Sequence, residues 1–195
     1  PDRRDRVTRV SVHQEQLGAV ALITIDRPER RNAVDREALE ELTAALEAAR
    51  AAQPATRVLV LTGAGGHFCA GADLKGLEDE SFAVTLRGVL QGLRDAPFPT
   101  IAAVEGAALG AGTQLAIACD LRVAAAGARM GMPPGRLGLV YSHTGVRRFP
   151  VPVGGARTRQ PFLPARRTGA ETALHRGGRT GPVGGAPPVA AGVCR

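Results

Sequence analysis

The chain has 195 residues and a mass of 20.2 kDa, a size that suits one ordinary domain. Hydrophobic residues make up 44% and charged residues 22%, which favours a packed core and excludes wholesale disorder. No apolar run reaches the roughly 18–20 residues of a membrane span, and the charged first residues lack an apolar signal core, so we expect a cytoplasmic protein without membrane contact. Three cysteines without metal-ligand spacing predict neither a disulfide scaffold nor a metal site.

The net charge of +7 is concentrated near the C-terminus. Residues 150–195 contain seven arginines and one acidic residue, Glu171, and are rich in glycine and proline. We therefore divide the chain into a core at 1–149 and a Gly/Pro/Arg-rich, divergent or truncated segment at 150–195. Arginines bind the phosphates of nucleic acid readily. However, the chain has five Phe, one Tyr and no Trp, and so lacks an evident stacking platform; we expect no nucleic-acid partner.

The predicted elements alternate between strands and helices along the chain. Strands are predicted where β-branched and apolar residues run together between turn signals, at 7–12, 19–25, 57–62, 100–104 and 121–125. Helices are predicted from apolar residues at helical spacing, at 35–52 with Asp35 as N-cap, at 81–95, at about 112–119 and weakly at 170–174. This order is typical of an α/β fold with mainly parallel, buried strands.

Two small-residue loops that follow predicted strands are candidates for chemistry. The first loop, residues 68–75, reads FCAGADLK, and the second loop, residues 105–112, reads EGAALGAG. Small side chains let a ligand approach the backbone closely, and free N–H groups at a helix start favour developing negative charge. Two such loops can aim two backbone donors at one oxygen and form an oxyanion hole. The alternative is that they only pack a helix tightly against a strand.

Three segments in order carry a resemblance to a known family. They are DRPERRNA at 26–33, HFCAGADLK at 67–75 and EGAALGAGTQLAIACD at 105–120. Together they resemble the enoyl-CoA hydratase/isomerase (crotonase) superfamily, over about residues 8–149. The resemblance implies a spiral of strand–strand–helix units, a homotrimer or hexamer, and a coenzyme A thioester as substrate. Coenzyme A is then part of the substrate, and no separate cofactor is implied.

The resemblance also assigns roles to individual residues. The backbone N–H groups of Ala72 and Ala111 are implied to hold the thioester oxygen, because only the amide matters there. The residues implied to contact coenzyme A are Ala70, Asp73, Leu74, Arg31 and Lys75. The last two are placed near its phosphates by charge and position, and for them a solvated surface is the alternative.

The sequence departs from the family pattern at the acids. Hydratases of the family use two glutamates as general acid and base, and here those positions hold Gln114 and Pro134. Neither side chain exchanges a proton near neutral pH, and general acid–base help is worth about 10²–10⁴-fold. Ordinary hydration by the two-glutamate route is therefore not expected.

Two alternatives to hydration or isomerisation follow from these departures. Tyr141 lies where family members that decarboxylate malonyl-type thioesters carry a tyrosine, so it is a candidate proton donor for a decarboxylase; the alternative is that it packs or caps a helix. A chain that keeps the fold and lacks the acids is also consistent with a non-catalytic CoA-binding module. His67 is interpreted as loop surface, His143 as a loop residue, Cys69 as buried filler and Asp120 as a structural acid.

Overall fold

The computed structural model of the protein describes residues 10–73, 80–132 and 168–169. The strands in these ranges are β1 Val12–Leu17, β2 Val20–Ile25, β3 Val58–Gly63, β4 Thr100–Val104, β5 Ala107–Leu109, β6 Leu121–Ala124, β7 Arg129–Gly131 and β8 Thr168–Gly169. The helices are α1 Arg36–Ala51, α2 Glu80–Arg94 and α3 Ala111–Ala118, with a short 3₁₀ helix at Pro28–Arg30.

The strands form two sheets. In the larger one the order is β1-β2-β3-β4-β6, with β1 antiparallel to β2 and the other pairs parallel. The smaller one has the order β5-β7-β8, and bridges Val34–Ala72 and Cys69–Ala108 extend it toward the first loop. The predicted α/β class with mainly parallel pairing is confirmed. The segments β1–β2–α1 and β4–β5–α3 are strand–strand–helix units.

Helix α1 shows how the sequence sets the core. Its N-cap Asp35 accepts a hydrogen bond from the Ala38 N–H through Oδ1, at 2.9 Å, as predicted. Leu39, Leu42 and Leu46 recur at helical spacing and are buried against the sheet and α2. This packing fixes the sheet, so the loops that leave the carboxyl ends of β3 and β4 start from a rigid base.

The first strand differs from its prediction. It was expected at 7–12, whereas the strand runs over Val12–Leu17, and residues 7–9 lie outside the described ranges. Five of its six residues are exposed, because β1 is an edge strand and carries polar side chains. The Glu41 carboxylate fixes its start by accepting the N–H groups of Ser11 and Val12, at 2.7 and 2.9 Å. Composition therefore gave no apolar signal for this strand.

The other predicted strands and the two long helices are confirmed with small shifts at their ends. The short strands β5 and β7 were not predicted, since three small-residue positions make no periodic pattern. The predicted helix at 170–174 and the boundary at 149/150 lie outside the described residues. Within the described ranges no helix is both long and apolar enough to cross a membrane.

Candidate active site

The first and second loops lie side by side at the carboxyl ends of β3 and β4. The Phe68 N–H donates to the Glu105 carbonyl at 2.8 Å, and the Cys69 N–H to the Ala107 carbonyl at 2.9 Å. The Leu109 N–H returns to the Cys69 carbonyl, also at 2.9 Å. The two segments therefore pair as short parallel strands, which fixes the position of one loop relative to the other.

Glycines allow the close approach of the loops. Gly71 has φ +117, and a Cβ placed on it would lie 3.1 Å from the Leu109 carbonyl oxygen and 3.9 Å from the Ala111 nitrogen. A Cβ on Gly112 would collide with the Cys69 carbonyl oxygen. A larger residue at either position would push the loops apart, so the backbones of residues 71 and 111 are near neighbours because of these glycines.

The direction of the Ala72 N–H follows from its neighbours. The Gly71 carbonyl accepts from the Val34 N–H at 2.8 Å, and the Asp73 N–H donates to the Val34 carbonyl at 2.8 Å. In a trans peptide the C=O and the following N–H point in opposite directions, so the Ala72 N–H points away from Val34. Within the described part of the chain it has no hydrogen-bond acceptor.

Ala111 is the first residue of α3. The Gly110 carbonyl accepts from the Gln114 N–H at 3.1 Å, so the trans peptide directs the Ala111 N–H out of the helix end. No side chain caps this end, and none of the described residues accepts from the Ala111 N–H. Ala111 itself is buried. A buried donor at a helix N-terminus favours a negatively charged ligand atom.

Gln114 lies one turn along α3 from Ala111. It is partly exposed, as is Ile117 three residues later, while the other residues of the helix are buried. These two side chains therefore lie on one face of α3. The structure brings Gln114 to the same helix end as the Ala111 amide, in agreement with the spacing in the sequence.

Arginines surround the carboxylate of Asp73. Arg30 lies 2.5 Å from it and Arg27 lies 3.7 Å from it, and Arg27 also pairs with Asp35. Only 12% of the Asp73 side chain is exposed, and it is involved in these ion pairs. The side chain of Asp73 thus ties the first loop to residues 26–33, which we call the arginine turn.

Two of the residues expected to contact coenzyme A meet through the backbone. The Ala70 N–H donates to the Arg31 carbonyl at 2.9 Å, and the Arg31 side chain is exposed. Arg31 has φ +52, which ends the 3₁₀ helix and turns the chain back toward the first loop. The remaining candidates Leu74, Lys75, Pro134, Tyr141 and His143 lie outside the described residues.

The second loop is held by Thr113, a residue that the sequence analysis missed. Its buried hydroxyl lies 2.7 Å from the Ala108 carbonyl and 2.8 Å from the Gly131 carbonyl, and it accepts from the Gly131 N–H. The Gly110 N–H also donates to the Gly131 carbonyl at 2.9 Å. A hydroxyl in the first turn of a helix made mostly of small and apolar residues was the available signal.

The arginine turn contains the second missed residue, Asn32. It is fully buried, has φ +58, and its side-chain amide makes three hydrogen bonds. Asparagine is one of the few residues that adopt this left-handed conformation readily. An asparagine in a turn was therefore a visible signal, but its partners were not.

His67 differs from its interpretation as loop surface. It is half-buried, and its Nδ1 accepts from the Ala107 N–H at 3.4 Å.

Asp120 is the structural acid that was predicted: its Oδ2 accepts the Thr100 N–H and hydroxyl, at 2.8 and 3.0 Å. It therefore joins the start of β6 to the start of β4, at the opposite end of the sheet from the loops.

The thiols of Cys69 and Cys119 are both fully buried. Burial raises the pKa of each to about 12, so both are neutral at physiological pH. A neutral, buried thiol is a poor nucleophile. The interpretation of Cys69 as filler beside the first loop is consistent with this. The described residues hold no group of three or more His, Cys, Asp or Glu side chains placed to bind a metal ion.

Comparison with known sequences places the chain in a family. Residues 15–178 match the enoyl-CoA hydratase/isomerase family. A Mycobacterium bovis protein named "Probable enoyl-CoA hydratase" is 43% identical over 166 residues, which are 83% of this chain and 66% of that protein. The mitochondrial methylglutaconyl-CoA hydratase of Mus musculus is 33% identical over 164 residues, 81% of this chain and 52% of that protein. The chain thus spans between about half and two thirds of these curated relatives.

Solved structures agree with the sequence comparison. An enoyl-CoA hydratase/carnithine racemase from Magnetospirillum magneticum superposes with a TM-score of 0.85 at 26% identity, covering 94% of this chain and 73% of that one. An enoyl-CoA hydratase from Bacillus anthracis gives 0.81 at 32% identity, covering 89% and 70%. The resemblance and the crotonase-like fold expected from three sequence segments are confirmed. This chain belongs to the enoyl-CoA hydratase/isomerase family.

Proposed function

We propose that the protein binds a coenzyme A thioester and stabilises its enolate with the backbone N–H groups of Ala72 and Ala111. One observation supports this most strongly: the two loops are locked side by side, and among the described residues neither N–H has an acceptor. The Ala72 N–H points away from Val34, and the Ala111 N–H points out of the N-terminal end of α3. Two unpaired donors on adjacent backbones suit one developing oxyanion.

The chemistry of thioesters explains why such a pair of donors would matter. Polarising the thioester carbonyl makes the α-carbon acidic and the β-carbon electrophilic. One oxyanion donor is typically worth about 2.7–4 kcal/mol, or 10²–10³ in rate. Because Ala111 is buried, a hydrogen bond from its amide would act in a medium of low dielectric, where it is stronger than in water.

The coenzyme A portion would lie along the first loop and the arginine turn. Ala70 and Asp73 lie on this path, the Ala70 N–H bonds the Arg31 backbone carbonyl, and Arg31 is exposed. We assign Leu74 and Lys75 to coenzyme A contact by their place in the sequence of the first loop. The cationic side chains of Arg31 and Lys75 would bind the phosphates of coenzyme A through charge-assisted hydrogen bonds.

The reaction that follows polarisation is the finer part of the proposal. The relatives are named as hydratases, which favours enoyl thioesters as substrates. Gln114 is the partly exposed residue of α3 nearest in sequence to Ala111, and an amide side chain does not exchange protons near neutral pH. We therefore expect hydration or isomerisation, if present, to be slow.

A second candidate reaction is the decarboxylation of a malonyl-type thioester. Loss of carbon dioxide creates the enolate directly, so no base has to remove a proton. This matches a site with two amide donors and a glutamine where the family has an acid. Tyr141 would then return a proton to the enolate. A CoA-binding module without catalysis is the third candidate, with the same binding geometry.

The proposed setting is the cytoplasm, and the proposed assembly is a homotrimer or hexamer, as the family resemblance implies. Light scattering of the purified chain measures the assembly directly. A monomer that still binds acyl-CoA would show that the site is complete within one chain and would overturn the proposed assembly.

The proposed function is tested by binding and turnover together. Crotonyl-CoA and methylmalonyl-CoA are titrated into the protein by calorimetry, and each mixture is then followed by chromatography. We expect saturable binding of the thioesters, with slow or no hydration of crotonyl-CoA. Binding without any turnover would select the non-catalytic candidate. No binding of either thioester would overturn the proposal, and hydration at the full rate of a two-glutamate enzyme would overturn the role given to Gln114.

A further inference from the structure

Asn32 is a buried polar side chain that the proposed mechanism does not use. It lies in the arginine turn and is fully buried. Its side-chain amide already makes three hydrogen bonds within the protein, so it does not bind the thioester carbonyl directly. Its Oδ1 accepts from the Arg27 N–H at 2.8 Å. Its Nδ2 donates to the carbonyls of Ala64 and His67, at 2.7 and 2.5 Å.

These contacts reach across the chain into residues 63–67, which lead from β3 into the first loop. This segment is closed tightly around the amide. A Cβ on Gly63 would lie 2.7 Å from Asn32 Nδ2 and would collide with the His67 carbonyl oxygen. A Cβ on Gly65 would lie 2.7 Å from the Pro28 Cβ. The segment therefore has little freedom to take another path while the amide is in place.

The arginine turn holds the chain at two points just before the Ala72 amide. The first point is the His67 carbonyl, bound by the Asn32 side chain. The second is the Ala70 N–H, bound by the Arg31 carbonyl. Between them, the Cys69 backbone pairs with the second loop. Loss of the contact at the first point would change the path of the chain where it enters the first loop.

From this geometry we infer that Asn32 is a positioning residue: by holding residues 64–67 against the arginine turn, it keeps the first loop in register with Val34, whose backbone directs the Ala72 N–H. The inference rests on the proposed function, because the Ala72 amide matters only if it binds the thioester oxygen. Asn32 touches neither substrate nor reacting atoms in this role. Its left-handed backbone and its two donated protons explain why an asparagine is needed here.

Two variants distinguish the role of the Asn32 side chain from that of its left-handed backbone. Asn32→Asp keeps the shape, but a carboxylate facing the carbonyls of Ala64 and His67 cannot donate to either. Asn32→Gly keeps the left-handed backbone and removes the amide. The matched control is Thr100→Val, which removes a buried hydroxyl bonded to Asp120 at the opposite end of the sheet. All three are expected to lower stability, so stability alone cannot decide the role.

The experiment measures how strongly the bound thioester carbonyl is polarised. A conjugated aryl-enoyl-CoA is bound to saturation, and the shift of its ultraviolet absorption to longer wavelength is recorded for the full chain and each variant. Sucrose, which is excluded from protein surfaces, is added to keep the variants folded. Denaturant unfolding is measured in parallel to show that each variant is folded under the conditions of the titration.

We expect the wild-type chain and Thr100→Val to show the full shift at saturation. Both Asn32 variants should lose most of it, and any thioester turnover should fall by about 10²-fold, the loss expected when reacting groups are misplaced by about 1 Å. A full shift in either folded Asn32 variant would overturn the inference and leave the proposed function standing. Absence of the shift in the wild-type chain, with ligand bound, would instead overturn the proposed function and the inference with it.

Discussion

The first and second loops present the same kind of group, one backbone amide each, but are held in different ways. The first loop depends on side chains distant in sequence: the Asn32 amide bonds a carbonyl 35 residues away, and Arg30 pairs with Asp73, 43 residues away. The second loop is held within its own segment, where the Thr113 hydroxyl bonds the Ala108 carbonyl five residues away, and by Gly131, 18 residues from Thr113. The first loop therefore relies on side chains distant in sequence, whereas the amide of the second loop lies in the first turn of its own helix.

This difference has a consequence for mutation. A helix start such as that of α3 keeps its amide geometry as long as the helix forms, because its carbonyls and N–H groups are bonded in sequence. The first loop has to be folded onto the arginine turn before its amide points correctly. We therefore expect the second donor to be sensitive mainly to loss of the N–H itself, and the first donor to be sensitive also to remote substitutions.

The largest effect is expected from removing the second donor. Ala111→Pro deletes one N–H at the first position of a helix, where proline is well tolerated. The rate of thioester turnover should fall by about 10²–10³-fold, which corresponds to about 2.7–4 kcal/mol of transition-state stabilisation. If there is no turnover, the polarisation of the bound carbonyl should fall instead. Kinetics and the ultraviolet shift of a bound aryl-enoyl-CoA measure it.

Arg36→Pro is the matched control for this variant. It makes the same change at the first position of α1, an exposed residue outside the site. It should leave carbonyl polarisation unchanged and lose only the weak Arg36–Glu40 ion pair. If Ala111→Pro behaves like Arg36→Pro, the Ala111 amide does not contact the thioester.

Thr113→Val should have the next largest effect and act on the second loop as a whole. Valine keeps the volume but leaves the Ala108 carbonyl and the Gly131 N–H without their hydroxyl partner, while the Gly131 carbonyl keeps the Gly110 N–H. Leaving buried polar groups unpaired costs about 1–3 kcal/mol. Urea unfolding measures the loss. Thr43→Val, which removes only a bond to the Leu39 carbonyl within α1, is the control; equal stability of the two variants would contradict the prediction.

The two buried thiols, Cys69 and Cys119, predict a dependence of stability on pH. Cys69 lies in the first loop and Cys119 ends α3, and burial raises the pKa of each from 9.0 to about 12. Above pH 9 the unfolded chain releases these protons while the folded chain retains them. Stability should therefore fall as pH rises from about 9 toward 12, by about 1.4 kcal/mol per pH unit for each thiol.

Unfolding at pH 8 and pH 10 measures this slope. The variants Cys69→Ala and Cys119→Ala lack the titrating group, so each should show a flatter dependence than the wild-type chain in this range. A slope that is the same with and without the thiols would show that they ionise equally in the folded and unfolded chains. It would then contradict their burial.

The smallest effect is expected from Arg30→Ala. Its side chain is 41% exposed, and solvent weakens its ion pair with Asp73, where Arg27 remains. The loss of unfolding free energy should stay below about 1 kcal/mol. Urea unfolding beside the surface variant Arg36→Ala checks it. A loss of unfolding free energy several times that of Arg36→Ala would contradict this prediction. It would mean that Arg30, and not only Asn32, is essential to the path of the first loop.

Much of the fold was visible in the sequence, because its core elements are apolar runs bounded by clear stop signals. Helix α1 is the best example, with Asp35 as its cap and leucines on its buried face. The edge strand β1 was misplaced because its residues are polar and its pairing, not its composition, makes it a strand. Short strands such as β5 gave too few residues for a pattern.

The candidate site was located by three motifs, but the contacts that hold it were not predictable. Asn32 and Thr113 make their hydrogen bonds to backbone carbonyls, and a carbonyl leaves no mark in the sequence. The pairing of Cys69 with the second loop likewise depends on two strands being neighbours in the sheet. Residue types predicted which loops matter, whereas only the structure gives the backbone contacts between them.

A crystal structure of the protein with an acyl-CoA bound tests the central claim most directly. The thioester oxygen is predicted to lie about 2.7–3.1 Å from both the Ala72 and the Ala111 nitrogens. A thioester bound elsewhere, or an oxygen within reach of only one of these amides, would contradict the two-donor site.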